Sequence, residues 1–210
     1  MLESLPRNGL TDPIEYYRRP LVGKLYRERI NRGLRLLERQ RFQRALEVGY
    51  GAGAVQLALA PGVDELHGID LDADPEPVLD LLGSRGVSTK LVQGSVLELP
   101  YESGFFDLVV CFSVFEHLHE YEQALREVHR VLKPGGQFLL GMPAVNKLME
   151  AGFFAIGFKG IDDHHVTTPQ QVSRRFERVG FRVVCEHHLD LPLRRPLGVR
   201  VYYDWLLTRI

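Results

Sequence analysis

The chain has 210 residues, 45% of them hydrophobic and 25% charged, and a formal net charge of −1. That profile fits one globular domain with a sizeable core. It excludes a disulfide scaffold, because two cysteines, Cys111 and Cys185, both in apolar runs, are expected as buried thiols. No run reaches the roughly 18–20 apolar residues of a membrane span, and the opening MLESLPRNGL lacks the features of a secretory signal. A cytoplasmic protein is expected.

In chain order, the first element is a helix. TDPIEYY offers Asp12 as N-cap, Pro13 at the first helical position and Glu15 three residues after the cap. Val22, Leu25, Ile30, Leu34 and Leu37 follow near helical spacing, and Gly23 and Gly33 are expected to break the helix in two. Residues 1–45 carry eleven Lys/Arg against five Asp/Glu. Such a basic arm is a solvated helix face or a contact for an acidic partner, a nucleic acid or an anionic membrane.

Short apolar runs then alternate with helical patterns. ALEV, ELHGID, TKLVQG, FFDLVVCFS, QFLLGM and FRVVCEH read as strands. AVQLALA, PEPVLDLLGSRG, EYEQALREVHRVLKPGG and TPQQVSRRFERVG read as helices, the third ended by Pro134, Gly135 and Gly136 and the fourth capped by Thr168. This alternation predicts βαβ units, a mostly parallel sheet with helices on both faces, and a ligand crevice at the carboxyl ends of the strands. The tail is ambiguous: Val199, Val201 and Tyr203 alternate as in a strand, whereas YYDWLLTRI also suits a helix.

The loop after the first strand, VGYGAGA, has two readings. Gly49, Gly51 and Ala54 satisfy the dinucleotide fingerprint G-x-G-x-x-[G/A], while Glu47, Gly49, Gly51 and Gly53 satisfy the E-x-G-x-G-x-G loop used for S-adenosylmethionine (SAM). Asp70, ending the second strand, can accept from both ribose hydroxyls of either cofactor, or serve as an ordinary turn aspartate. Glu47 discriminates. A carboxylate beside the loop repels a pyrophosphate but suits a cationic sulfonium and ammonium, unless it turns outward to pair with Arg44.

Taken together, LEVGYGAG, GIDLD, VQGSVLELPYESGFFDLVVCFSVFEHL, EVHRVLKPGGQFLL and ERVGFRVV resemble the Rossmann-like SAM-dependent methyltransferases. The nearest subgroup is the small-molecule type related to quinone and sterol methyltransferases, and the resemblance spans residues 44–185. It implies a three-layer α-β-α sandwich with a mostly parallel seven-stranded Rossmann-like sheet. The implied layout is a basic helical arm or lid over residues 1–43 and a SAM-binding domain over 44–210, with an acceptor-binding insert near 143–167. By resemblance, Gly49, Gly51 and Gly53 let the backbone approach the methionine part of SAM and Asp70 binds the ribose. Leu71 packs on the adenine, Ser95 and Val96 meet its edge, and the backbone at Cys111 and Phe112 meets the amino group. Ser95 departs from the pattern: many relatives have an aspartate there, and a neutral acceptor binds more weakly.

Methyl transfer is an in-line displacement that needs a base only when the nucleophile must lose a proton. The candidates are Glu116, His117, His164 and His165, and the histidines of GIDDHHVTTP otherwise cap the next helix. Four adjacent residues, Asp162 to His165, cannot converge on one ion, so no metal site is expected. Phe153, Phe154, Ile156 and Phe158 form an apolar cluster that suggests a small hydrophobic or aromatic acceptor, or completes the core. The sequence has no N-P-P-[Y/F/W] segment, so a nucleic-acid acceptor is not expected. An NAD(P)-dependent oxidoreductase would need a Tyr-x-x-x-Lys segment or a separate catalytic domain, and neither is evident. A non-catalytic SAM-binding module is the other reading.

Overall fold

The computed structural model describes Asn8 and residues 20–37, 40–144, 165–191 and 199–210. The expected cap at Asp12, the aromatic cluster around Phe154, the acidic pair Asp162 and Asp163, and His164 lie outside the described residues.

The elements in order are α1 (Pro20–Arg35), β1 (Phe42–Val48), α2 (Ala54–Leu59), β2 (Val63–Asp70), α3 (Pro75–Gly83), β3 (Lys90–Gln93) and β4 (Phe106–Phe112). They continue with α4 (Tyr121–Val131), β5 (Leu132–Pro143), α5 (Pro169–Ser173), α6 (Phe176–Val179), β6 (Phe181–Leu191) and β7 (Val199–Arg209). The seven strands form one sheet in the order β3-β2-β1-β4-β5-β7-β6. β7 runs antiparallel between β5 and β6, and the other pairings are parallel. The strand order reverses direction between β1 and β4, so the ligand crevice is expected above the ends of those two strands.

Alternation along the central strands splits the core into two faces. Leu46, Val48, Val109, Cys111, Phe138 and Leu140 pack on one side with Leu125 and Val128 of α4. Ala45, Leu108, Val110 and Leu139 pack on the other with Val55 and Leu59 of α2 and with Ile30 and Leu34 of α1. Each fully buried Leu or Val contributes about 1.5–3 kcal/mol, and the central strands are apolar on both faces, as parallel strands covered by helices must be.

Three expectations need correction. Gly23 and Gly33 do not break α1, which runs unbroken from Pro20 to Arg35. Gly33 is instead a close-approach residue, since a Cβ there would lie 2.7 Å from Phe112 Cε1 and 2.9 Å from Asp204 Oδ1. The helix α4 stops at Val131, before Pro134, and LKPGG opens β5 as an irregular stretch with Gly135 at φ +77° and a register shift against β4. TPQQVSRRFERVG forms two short helices, α5 and α6, rather than one. Its cap is as expected: Thr168 accepts from Gln171 N, and Gln171 accepts in return from Thr168 N at 2.7 Å. The ambiguous tail is strand, paired to β5 from Gln137↔Thr208 to Pro143↔Tyr202.

Candidate active site

The glycine loop leaves β1 at Val48 and enters α2 at Ala54. Gly49 and Gly53 hold φ near +80°, the left-handed region that other residues avoid. A Cβ on Gly49 would fall 2.5 Å from Val114 Cγ2, so the loop lies directly against the chain that follows β4. Gly49 N donates to Ile69 O at 2.7 Å and Gly51 N donates to Asp70 Oδ2 at 2.9 Å. The other oxygen of Asp70 accepts from Asp72 N and Ala73 N, both at 3.0 Å. Asp70 therefore shapes both loops while its carboxylate stays at the crevice edge. Asn8 bridges the same two loops, donating to Gly51 O and Asp74 O and accepting from Asp74 N. The sequence carries no signal for that role.

Leu71 is 64% exposed beside Asp70, an unusual position for a large apolar side chain at a strand end and a ready platform for a flat ring. Val96 is buried, and Ser95 Oγ accepts from Leu97 N at 3.1 Å, which occupies part of the acceptor capacity expected for an adenine amino group. β1 pairs with β4 only as far as Val48↔Cys111. Beyond that point the β1-facing backbone of β4, at Phe112, opens onto the glycine loop. The thiol of Cys111 points into the core, where burial raises its pKa well above the usual value.

Glu47 does not turn outward. Arg44 instead pairs with Glu65 at 2.9 Å, and Glu47 is 3% exposed, accepting from Gln56 Nε2 at 2.7 Å. Burial, reinforced by the negative charge of Asp70, pushes its pKa to about 8. A carboxyl buried next to a loop with three left-handed glycines suits a positively charged ligand group better than a pyrophosphate.

A second polar group lies past the end of β4. Ser113 is a non-glycine residue at φ +57°, a strained conformation of the kind held at functional sites. Its Oγ lies 2.9 Å from Tyr202 Oη. The Arg29 guanidinium of α1 stands over the Tyr202 ring, 5.1 Å from its centroid. Asp204, on β7 facing α1, is fully buried, and neither carboxyl oxygen has a hydrogen-bond partner among the described residues. Burial pushes its pKa to about 8, against the opposing pull of Arg29 and Arg32. The basic face of α1 is thus partly turned inward. Sequence reasoning missed Arg29, Tyr202 and Asp204, although an aspartate inside VYYDWLL is a visible signal once that segment is taken as a buried strand.

Glu116 and His165, separated by 49 positions, come together. Glu116 O accepts from Val166 N at 2.8 Å and from Thr167 N at 3.1 Å, and Thr167 Oγ1 donates to Leu118 O. These bonds hold the His165 ring 5.3 Å from that of His117. Glu116 is 1% exposed with its pKa raised by burial to about 8.

Comparison with known proteins agrees with this geometry. A family model described as a methyltransferase domain matches residues 46–140. The chain is 33% identical over 102 residues to a demethylmenaquinone methyltransferase of Deinococcus radiodurans, covering 47% of this chain and 42% of that protein. It is 31% identical over 133 residues to the uncharacterized methyltransferase YdaC of Bacillus subtilis, covering 56% of this chain and 72% of YdaC. The chain spans about two-fifths of the length of the first curated relatives it matches. In fold it is similar to the N-methyltransferase NodS of Bradyrhizobium japonicum, solved with S-adenosyl-L-homocysteine (SAH). That match has a TM-score of 0.69 and 20% identity, over 93% of this chain and 95% of NodS. With the strand order, the glycine loop and the family match in agreement, the chain belongs to the Rossmann-like SAM-dependent methyltransferases.

Proposed function

We propose that the chain transfers the methyl group of SAM to a small hydrophobic or aromatic acceptor seated between the end of β4 and β7. The observation that carries this reading is the shared wall: Val114, packed on Gly49, is two residues from Glu116 and adjacent to Ser113. The cofactor loop and the buried polar group therefore meet at one point. Bound SAM supplies an electrophilic methyl carbon on a sulfonium.

The chain's own residues do the rest. Asp70 holds the ribose hydroxyls, Leu71 covers one adenine face, and Ser95 and Val96 border its edge. Glu47 balances the positive charge, and the backbone around Cys111 and Phe112, where the pairing with β1 ends, receives the amino group. Gly49, Gly51 and Gly53 keep the loop free of side chains. Orientation of this kind is worth about 7–11 kcal/mol. Where the acceptor atom must lose a proton, Glu116 is the buried carboxyl placed to take it, with His165 beside it.

Incubation with labelled SAM and a panel of hydrophobic phenols, amines and thiols tests the reading. Methylated product and SAH are expected in equal amounts. Firm SAH binding with no turnover on any acceptor would instead favour a non-catalytic SAM-binding module.

A further inference from the structure

We infer that Glu116, His117 and His165 form a binding site for one divalent transition-metal ion at the acceptor end of the crevice. Their ligand atoms all lie within 4.8 Å of one another. They come from two segments held together by the backbone bonds of Val166 and Thr167 to Glu116 O. The site is therefore built by the fold rather than by a chance meeting of mobile side chains.

Glu116 supplies an independent observation. Its side chain is 99% buried, and its Oε2 has no hydrogen-bond partner among the described residues. Leaving a buried carboxyl oxygen unsatisfied is costly, and a cation shared with the two imidazoles would remove that cost. The donor set, two imidazoles and one carboxylate, is the one that holds zinc with an open coordination position or iron in a facial triad. It is too nitrogen-rich for magnesium or calcium. A cation sits about 2.0–2.2 Å from each such donor, which brings donors to roughly 3–3.5 Å from one another. His117 Nε2 and Glu116 Oε1 are 4.0 Å apart, and the His117 side chain is 37% exposed, so metal binding would require a rotation of the His117 ring toward Glu116. The remaining coordination positions would face an acceptor oxygen, with Glu116 then holding a cation against the acceptor instead of taking its proton. That last role, unlike the binding itself, rests on the methyl-transfer reading.

The test uses the full chain without a polyhistidine tag, stripped with a chelator and titrated with Co2+ as a spectroscopic probe and then with Zn2+. One equivalent of Co2+ giving visible ligand-field bands that Zn2+ abolishes is expected. His117→Ala and His165→Ala should each weaken binding at least tenfold, as should Glu116→Gln. His187→Ala, on the exposed face of β6, should leave it unchanged. Absence of saturable binding, or binding that survives both histidine substitutions in folded protein, overturns the inference. SAH titrated into the same metal-free samples reports on the methyl-transfer reading separately, so the two can fail independently.

Discussion

The two halves of the crevice are built by opposite means. The proposed cofactor half, over β1 to β3, is made mostly of backbone: glycines at positive φ and loop amides, three of which are satisfied by the Asp70 carboxylate. The proposed acceptor half, over β4, β5 and β7, is made of side chains drawn from distant segments: Arg29, Ser113, Glu116, His165, Tyr202 and Asp204. A backbone cradle is a local motif that tolerates little change. A side-chain cluster is set by packing, so each member can vary with the acceptor.

The largest effect expected from this contrast is at Gly49. Gly49→Val places a branched side chain at φ +81° against Val114. Calorimetry should show SAH affinity lowered more than about a hundredfold. Asp70→Ala comes next, because it removes a charged acceptor from three loop amides and, on the proposed reading, from the ribose. A loss of about 2–3 kcal/mol in SAH binding, with a lower Tm, is expected.

Asp204→Asn, in the other half, should leave SAH affinity within about twofold while changing how stability depends on pH. Between its ordinary value of 3.8 and about 8, the folded protein keeps the Asp204 proton and the unfolded chain has lost it. Stability therefore falls as pH rises through that window. Glu116 and Glu47, each raised to about 8, add to the fall. Denaturant titrations from pH 5 to 8 should show a shallower decline for Asp204→Asn.

The smallest effect is proton release at Glu47. A cationic ligand group beside it favours the ionised form, so SAH binding at pH 7 should expel up to one proton. Its affinity should rise with pH toward about 8. Binding enthalpies in buffers of different ionisation heat will show this, and Glu47→Gln should abolish it.

The same contrast explains what the sequence revealed. The glycine loop, Asp70 and the Thr168 cap depend on neighbours a few residues away, so their spacing alone was informative. Tyr202 and Asp204 were obscured because every residue from Val201 to Thr208 is buried. A strand covered on both faces has no alternation to read. Gly33 looked like a helix breaker because its reason, the approach of Phe112 and Asp204, lies in other elements. The meeting of Glu116 with His165 depends on two backbone bonds between segments far apart in the chain.

The measurement that bears most directly on the account is a calorimetric titration of the full chain with SAH. One site with Kd near micromolar, about 8 kcal/mol, lost in Gly49→Val and kept in Asp204→Asn, is the result the account predicts. No heat and no thermal stabilisation at millimolar SAH would contradict it.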